Sequence, residues 1–288
     1  MISYPLSTKE EKDFLENGQK EKIFHSAQFP PSFLMHTDKS KPLRLTKKRN
    51  MIFYRMYEYR PFAVSEVIVL KKHIVCFGDS NTHGYCADPA DCADGGIRYN
   101  ETERWTRLLQ EKLGDEYLVL EEGLSGRTTC FDDPIHEGLN GLDYIYPCLK
   151  SHEAVDLLII MLGTNDTKDR FYASAACIAL GMARLVKKAM ATECWGDHAP
   201  NILVVAPPPI GPEMLTSPVA DTMGSLCVGK SEELARYYKE QCDLIGCHFL
   251  DAGELGCQFN RVDYMHLTRQ GHARLAEGLA ALVPQLVK

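Results

Sequence analysis

Residues 74–80 read Ile-Val-Cys-Phe-Gly-Asp-Ser, an apolar run that ends at a glycine, an acid and a serine. A short apolar run closed by a turn signal predicts a buried strand followed by a tight turn. Residues 105–113 then place a tryptophan and three leucines on one face of a helix. The stretch is therefore the first strand, turn and helix of an alternating fold.

The remainder of the chain repeats this alternation. Apolar runs predict further strands at residues 117–120, 155–161, 202–205 and 248–250. Helical spacing predicts helices within residues 178–189, 231–244 and 275–286. Strands that alternate with helices predict an α/β protein with a central parallel sheet and helices on both of its faces.

Composition divides the chain into two parts. The 288 residues carry a net charge of -7, but residues 1–72 carry +6 and the remainder carries -13. Residues 1–72 have no sustained apolar period, so we expect an N-terminal extension that is poorly ordered or peripheral, followed by a domain over residues 73–288. The acidic body argues against nucleic acid as a partner.

Cysteine usage indicates a reducing compartment. Eleven cysteines, an odd number without a paired framework, are typical of buried free thiols in a cytoplasmic protein. We found no Cys/His spacing typical of zinc, so no metal is expected. Neither a signal peptide nor a membrane span is indicated by the sequence.

In parallel sheets, sites form where the carboxyl ends of the strands meet. Ser80 follows the first strand at a predicted helix start, where main-chain N–H groups favour developing negative charge. Gly126 lies in the loop after the second strand, where its N–H could serve an oxyanion. Taken singly, the serine could be only a helix cap and the glycine only a turn residue.

Two further loops carry chemistry of the same kind. Asn165 follows the most apolar strand, and its amide could donate to an oxyanion; an ordinary Asx turn is the alternative. Asp263 and His266 are three residues apart, so the carboxylate could orient the imidazole toward a serine; a surface histidine beside an acid is the alternative.

Together, Ser80, Gly126, Asn165 and the Asp263/His266 pair occur in the order of the SGNH (GDSL-type) hydrolase superfamily, which residues 73–288 resemble. Several blocks are closer to its bacterial arylesterase/acyltransferase branch, namely residues 104–106, 121–129, 132–134, 160–168 and 207–209. The resemblance implies a three-layer α/β/α sandwich of flavodoxin-like architecture.

The resemblance also implies a mechanism and a substrate class. Ser80 would be the nucleophile, activated by His266 and Asp263, and Ser80, Gly126 and Asn165 would form the oxyanion hole. Members of the branch use no metal or organic cofactor and hydrolyse short acyl esters, and some transfer the acyl group to alcohols. Several form oligomers, so we expect a homo-oligomer with a small ester substrate and no membrane partner.

Three details qualify this prediction. Asn81, His83 and Tyr85 stand where acyltransferase members carry bulky aromatic residues, which favours hydrolysis over acyl transfer. A carbohydrate or natural-product O-deacetylase is an alternative function, with Tyr85, Tyr99 and Trp105 as candidate platforms for sugar stacking. A catalytically silent binding protein is another alternative.

Arg127 lies close in sequence to two acids. We expect it to pair with Asp132 or Asp133.

Overall fold

The fold is seen in a computed structural model that describes residues 70–287. Five parallel strands form one sheet in the order β2-β1-β3-β4-β5. The strands are β1 (Lys72–Gly78), β2 (Tyr117–Gly123), β3 (Leu157–Met161), β4 (Ile202–Ala206) and β5 (His248–Asp251). This is the flavodoxin-like strand order, in which the chain reverses direction across the sheet beside β1.

Seven α-helices connect or follow the strands within the described residues. They are α1 (Ser80–His83), α2 (Trp105–Leu113), α3 (Gly141–Ser151), α4 (Ala175–Met190), α5 (Ala220–Met223), α6 (Cys227–Ile245) and α7 (Arg269–Leu286). The predicted helices correspond to α2, α4, α6 and α7. Thr268 caps α7, since its Oγ1 accepts from the N–H of Gly271 at 3.0 Å.

The sheet separates two apolar cores. Val75 and Phe77 of β1 pack into the core formed with α3, α4 and α6. Ile74 and Cys76 point to the other face, into the core formed with α2 and α7. Because successive side chains of a strand point to opposite faces, one strand serves both cores. The predicted three-layer α/β/α sandwich is confirmed.

Some elements differ from the prediction. Helix α3 was not predicted, because Pro147 lies inside it and masks the buried stripe of Ile145, Cys148 and Leu149. Strand β3 begins at Leu157, two residues later than expected, and β2 continues three residues further than expected, to Gly123. The extra length of β2 places Gly123 beside Gly78, where the site loops begin.

Three further sequence predictions concern the N-terminal extension, the cysteines and membrane-spanning segments. The predicted extension, residues 1–72, lies outside the described residues apart from its last three residues. All eleven cysteines are free thiols, as expected. None of the helices in residues 70–287 has the length and apolar character needed to cross a membrane.

Candidate active site

Ser80 is the first residue of α1, immediately after β1. The Asp79 carboxylate caps the helix by accepting from the N–H of Asn81 at 3.0 Å. No hydrogen bond among residues 70–287 uses the N–H of Ser80. Because the first N–H groups of a helix have no intrahelical acceptor, this donor remains available to a ligand at the end of the sheet.

Ser80, His266 and Asp263 form a continuous hydrogen-bonded chain. The Ser80 Oγ lies 2.7 Å from His266 Nε2. On the other side of the ring, His266 Nδ1 lies 2.7 Å from Asp263 Oδ2. Both distances are within the range that proton transfer from a hydroxyl to an oriented imidazole requires. The structure thus brings together the three residues that the sequence singled out on distant loops.

A strained turn brings Asp263 and His266 together. Tyr264 between them has a φ of +58°, in the left-handed region that a bulky residue rarely adopts. The turn is held by Asp263 Oδ1, which accepts from the main-chain N–H groups of Met265 at 3.1 Å and His266 at 3.0 Å. The amide of Asn260 donates to the same oxygen at 2.9 Å. Asn260 was missed from the sequence, because no local pattern shows that its side chain bonds Asp263.

Asn81 fixes the histidine loop to the nucleophile helix. Its amide nitrogen donates to the carbonyl of Met265 at 3.1 Å, and its Oδ1 accepts from the N–H of Leu267 at 3.0 Å. The two bonds flank His266 and hold its backbone beside Ser80. From the sequence, Asn81 was interpreted only as a position at the entrance to the site, because no local signal reveals a partner more than 180 residues away.

Gly126 presents an unused backbone donor. Its φ is +89°, and a Cβ at this position would lie 3.0 Å from Leu139 Cδ1, so only glycine fits without strain. Among the described residues, its N–H makes no hydrogen bond. The conformation thus leaves a free donor in the loop after β2.

Asn165 follows β3 in a 3-10 turn, and only 8% of the residue is exposed. Its amide nitrogen donates to the carbonyl of Arg127 at 3.2 Å, whereas the Asp79 Oδ2 lies at 3.4 Å. The second contact is longer than a normal N–H···O bond. One amide hydrogen is therefore anchored, and the other is weakly held and can be given to a ligand.

Gly163 serves packing rather than access for a ligand. Its φ is +127°, and an added Cβ would lie 2.4 Å from the hydroxyl oxygen of Tyr238. That hydroxyl donates to the carbonyl of Leu162 at 3.1 Å. Gly163 therefore leaves room for Tyr238 under the end of β3.

The local electrostatics favour an ionised Asp263. Burial acts to raise the pKa of its carboxyl, but hydrogen bonds from His266 and Asn260 outweigh burial and bring the pKa down to about 2. Asp263 thus stays negative above about pH 3 and can stabilise a positive charge on the imidazole.

Asp79 and Asp166 are two further buried carboxyl groups beside the site. Burial raises the pKa of each to about 6. Asp166 Oδ1 accepts from the N–H of Thr129 at 2.8 Å and from its hydroxyl at 2.5 Å. Both acids thus hold N–H groups of the loops at the end of the sheet.

Asp166→Asn should change the pH dependence of stability. With a folded-state pKa of about 6 against about 3.9 in an unfolded chain, Asp166 favours folding below pH 4 and loses that contribution as the pH rises through 6. Asparagine keeps an acceptor for Thr129 without the charge. Between pH 4 and pH 8 we expect the wild type to lose about 1–3 kcal/mol relative to the variant in urea unfolding. A difference that is constant across this range would contradict the prediction.

Arg127 does not pair with Asp132 or Asp133, contrary to the expectation. Its guanidinium donates to the carbonyl of Gly78 at 3.0 Å and to that of Glu122, and it lies 4.2 Å from the ring centroid of Phe77. Because Arg127 is buried, its N–H groups need acceptors within the protein, and these two carbonyls at the ends of β1 and β2 supply them. Asp133 is paired with Arg170 instead, at 3.1 Å.

The candidate sugar platforms separate into buried and accessible residues. Trp105 and Tyr99 are each 1% exposed and belong to the core, so neither can stack on a ligand. Tyr85 is half-buried and packs against the His266 ring, with centroids 4.7 Å apart in an edge-on arrangement. Only Tyr85 of the three therefore borders the site.

The comparisons with known proteins agree with this geometry. Residues 76–274 match the GDSL-like lipase/acylhydrolase family. The structure is similar to an aryl esterase from M. smegmatis, at 38% identity and a TM-score of 0.67, over 75% of this chain and 99% of the other. It is equally similar to a carbohydrate acetylesterase from Sinorhizobium meliloti, at 38% identity and a TM-score of 0.67, over 75% of this chain and all of the other. Comparison with curated proteins found no match.

The parallel sheet, with its serine, histidine and asparagine loops at one edge, defines an α/β serine hydrolase that acts on carboxylic esters. Within that class, the chain belongs to the GDSL-like lipase/acylhydrolase family, in the group that contains aryl and carbohydrate acetylesterases.

Proposed function

We propose that the protein hydrolyses short-chain acyl esters through a covalent acyl-enzyme on Ser80. The observation that carries the proposal is the unbroken chain of two 2.7 Å contacts from Asp263 through His266 to Ser80. A serine hydroxyl is a weak nucleophile until a base removes its proton, and this arrangement supplies the base and a group to orient it.

In the proposed reaction, His266 Nε2 takes the Ser80 proton as Oγ attacks the ester carbonyl. The tetrahedral intermediate collapses, His266 gives the proton to the departing alcohol, and the acyl group remains on Ser80. Water then attacks the acyl carbon, with His266 again as the base, and the acid and free Ser80 are released. Asp263 stays ionised and stabilises the imidazolium in both steps.

We assign the oxyanion to three donors, the N–H groups of Ser80 and Gly126 and the side-chain amide of Asn165. The two N–H groups have no acceptor among the described residues, and the Asn165 amide has one weakly held hydrogen. Preorganised donors of this kind stabilise the charge that develops in the transition state without reorganising during the reaction.

Asn165→Ala should lower kcat by about 100-fold or more, because one oxyanion donor is lost. The 3-10 turn keeps its backbone bond from Lys168 N–H to the carbonyl of residue 165, so we expect the fold to survive. Steady-state kinetics on p-nitrophenyl acetate, with circular dichroism as a check of folding, would measure the effect. Wild-type turnover in a folded variant would remove Asn165 from the oxyanion hole.

The proposed substrate class can be tested with p-nitrophenyl esters from acetate to octanoate. We expect kcat/KM to be highest for the shortest chains and to fall with length. A maximum at octanoate would contradict the short-chain assignment. No hydrolysis of any ester would favour an enzyme with a demanding alcohol site, or a silent binding protein.

An O-deacetylase acting on carbohydrates is the second candidate. It is supported by the similarity to the Sinorhizobium meliloti carbohydrate acetylesterase and by Tyr85, the accessible ring beside His266. Release of acetate from peracetylated sugars would distinguish it from a simple aryl esterase. In that case Tyr85→Ala should raise KM for the sugar more than for p-nitrophenyl acetate, because stacking on the ring is lost.

We propose hydrolysis rather than acyl transfer as the main reaction. The positions after Ser80 hold a buried Asn81, whose amide is occupied by the histidine loop, and half-buried His83 and Tyr85. These polar groups do not form the narrow apolar entrance that would exclude water. A low ratio of transesterification to hydrolysis in water with added alcohol would agree with this assignment.

We also propose a domain boundary, a cellular location and an oligomeric state for the protein. We propose residues 73–288 as the hydrolase domain, supported by the family match over residues 76–274. Eleven free thiols support a cytoplasmic location. We expect a homo-oligomer by likeness to the branch, and light scattering of the purified protein would contradict this if it found a monomer.

A further inference from the structure

A second cluster of reactive side chains lies at the base of the loop that carries Gly126. Glu122 is the last residue but one of β2, and Cys148 and His152 lie on α3 and at its C-terminal cap. The two helix residues are four apart, so they share a face. One ligand atom from each of the three residues lies within 4.8 Å of the others, and His152 Nε2 is 2.7 Å from Glu122 Oε1.

The chemistry of these ligands suits a borderline-soft divalent cation. A thiolate, an imidazole and a carboxylate are the groups that bind zinc in proteins. Zinc–ligand bonds place neighbouring ligand atoms of a tetrahedron about 3.3–3.8 Å apart. The cluster reaches this geometry if the Cys148 sulfur moves about 1 Å toward the other two ligand atoms. The distance between His152 Nε2 and Glu122 Oε1 must also lengthen slightly, so that the ion can lie between them.

The three ligands differ in burial, and the two acidic ones would together carry two negative charges. Cys148 is 1% exposed, whereas Glu122 and His152 are half-buried and reach solvent. Cys148 would bind as a thiolate and release its proton to water, so the two negative ligands balance the dication. The Arg127 guanidinium bonds the main-chain carbonyl of Glu122, not its carboxylate. The carboxylate accepts from the Tyr144 hydroxyl through Oε2 at 3.3 Å, so Oε1, which faces His152, is the oxygen that would bind the ion.

We propose that Glu122, Cys148 and His152 form a zinc site, with water as the fourth ligand, separate from the Ser80 machinery. The sequence predicted no metal because no Cys/His pairs have zinc-finger spacing. Here the third ligand, Glu122, comes from β2, whereas the other two belong to α3 and its C-terminal cap. The spacing of cysteines and histidines along the chain does not reveal such a site. This inference does not depend on the esterase assignment.

Cobalt binding to the full-length protein tests the site, because a cysteine ligand gives a thiolate-to-cobalt charge-transfer band in the near ultraviolet. We expect one equivalent of Co²⁺ to produce the band in the wild type and zinc to abolish it. Cys148→Ala should remove the band, and His152→Gln should weaken binding by about 10-fold or more. Glutamine can still bond Glu122, so loss of binding would not reflect loss of that contact.

Two control variants test whether the band depends on Cys148 in particular. Cys76→Ala removes an equally buried thiol on the opposite face of the sheet, and Cys177→Ala removes an exposed one; both should keep the band. If the band persists in Cys148→Ala, or if the wild type shows none, the proposal is wrong. Should Cys148→Ala fail to fold, the half-exposed His152→Gln variant decides: wild-type affinity there would overturn the site.

Discussion

Ser80→Ala should lower esterase turnover by about 10,000-fold. The variant loses the atom that forms the acyl-enzyme, while the oxyanion donors and His266 remain in place. Only slow direct attack of water on the bound ester would continue. The measurement is hydrolysis of p-nitrophenyl acetate at matched protein concentration.

Ser225→Ala is the matched control, because Ser225 is an exposed loop serine outside the site and should keep wild-type turnover. Alanine at position 80 should not disturb folding, since the Ser80 hydroxyl contacts His266 and serves no structural bond. Equal turnover of wild type and Ser80→Ala would mean that another group is the nucleophile, and the proposed mechanism would be wrong.

Local pattern was sufficient to predict most of the sheet and the order of the site residues. Apolar runs at residues 74–77 and 202–205 are strands because they are buried on both faces by helices. The site residues follow strand ends, and the topology alone then gathers Ser80, Asn165 and His266 at one edge. Helix α3 was missed because Pro147 argues against a helix, although Ile145, Cys148 and Leu149 have helical spacing. The helix forms because burial of these three residues outweighs the cost of the proline.

The supporting contacts could not be predicted, because they join residues that are distant along the chain. Asn81 holds Met265 and Leu267, and no feature near residue 81 specifies those partners. Arg127 was assigned to neighbouring acids by sequence proximity, but its guanidinium is directed inward to main-chain carbonyls. The acceptor that a buried cation uses depends on how the surrounding loops pack. The local sequence does not predict it.

Asp263→Asn should lower kcat by about 10,000-fold while preserving the fold. Asparagine retains an oxygen that can accept from Asn260 and from the N–H groups of Met265 and His266, so the turn is kept. Its NH₂ group then faces His266 Nδ1, where the carboxylate accepted at 2.7 Å. A donor at this position forces the proton onto Nε2, the nitrogen that must take the proton from Ser80.

The pH profile separates this effect from simple loss of structure. Because the pKa of Asp263 is brought down to about 2, the wild type should show no loss of activity from protonation of this carboxyl above about pH 3. The variant should regain activity at high pH, where hydroxide can replace the missing base. It should still unfold cooperatively, but with a loss of about 2–3 kcal/mol at neutral pH, because the interactions that lower the pKa of Asp263 stabilise its ionised carboxylate in the folded state. Asp115→Asn, an exposed acid, is the control. A folded Asp263→Asn enzyme whose turnover lies within 10-fold of the wild type would have lost less than about 1.4 kcal/mol of transition-state stabilisation. That result would show that Asp263 does not orient His266.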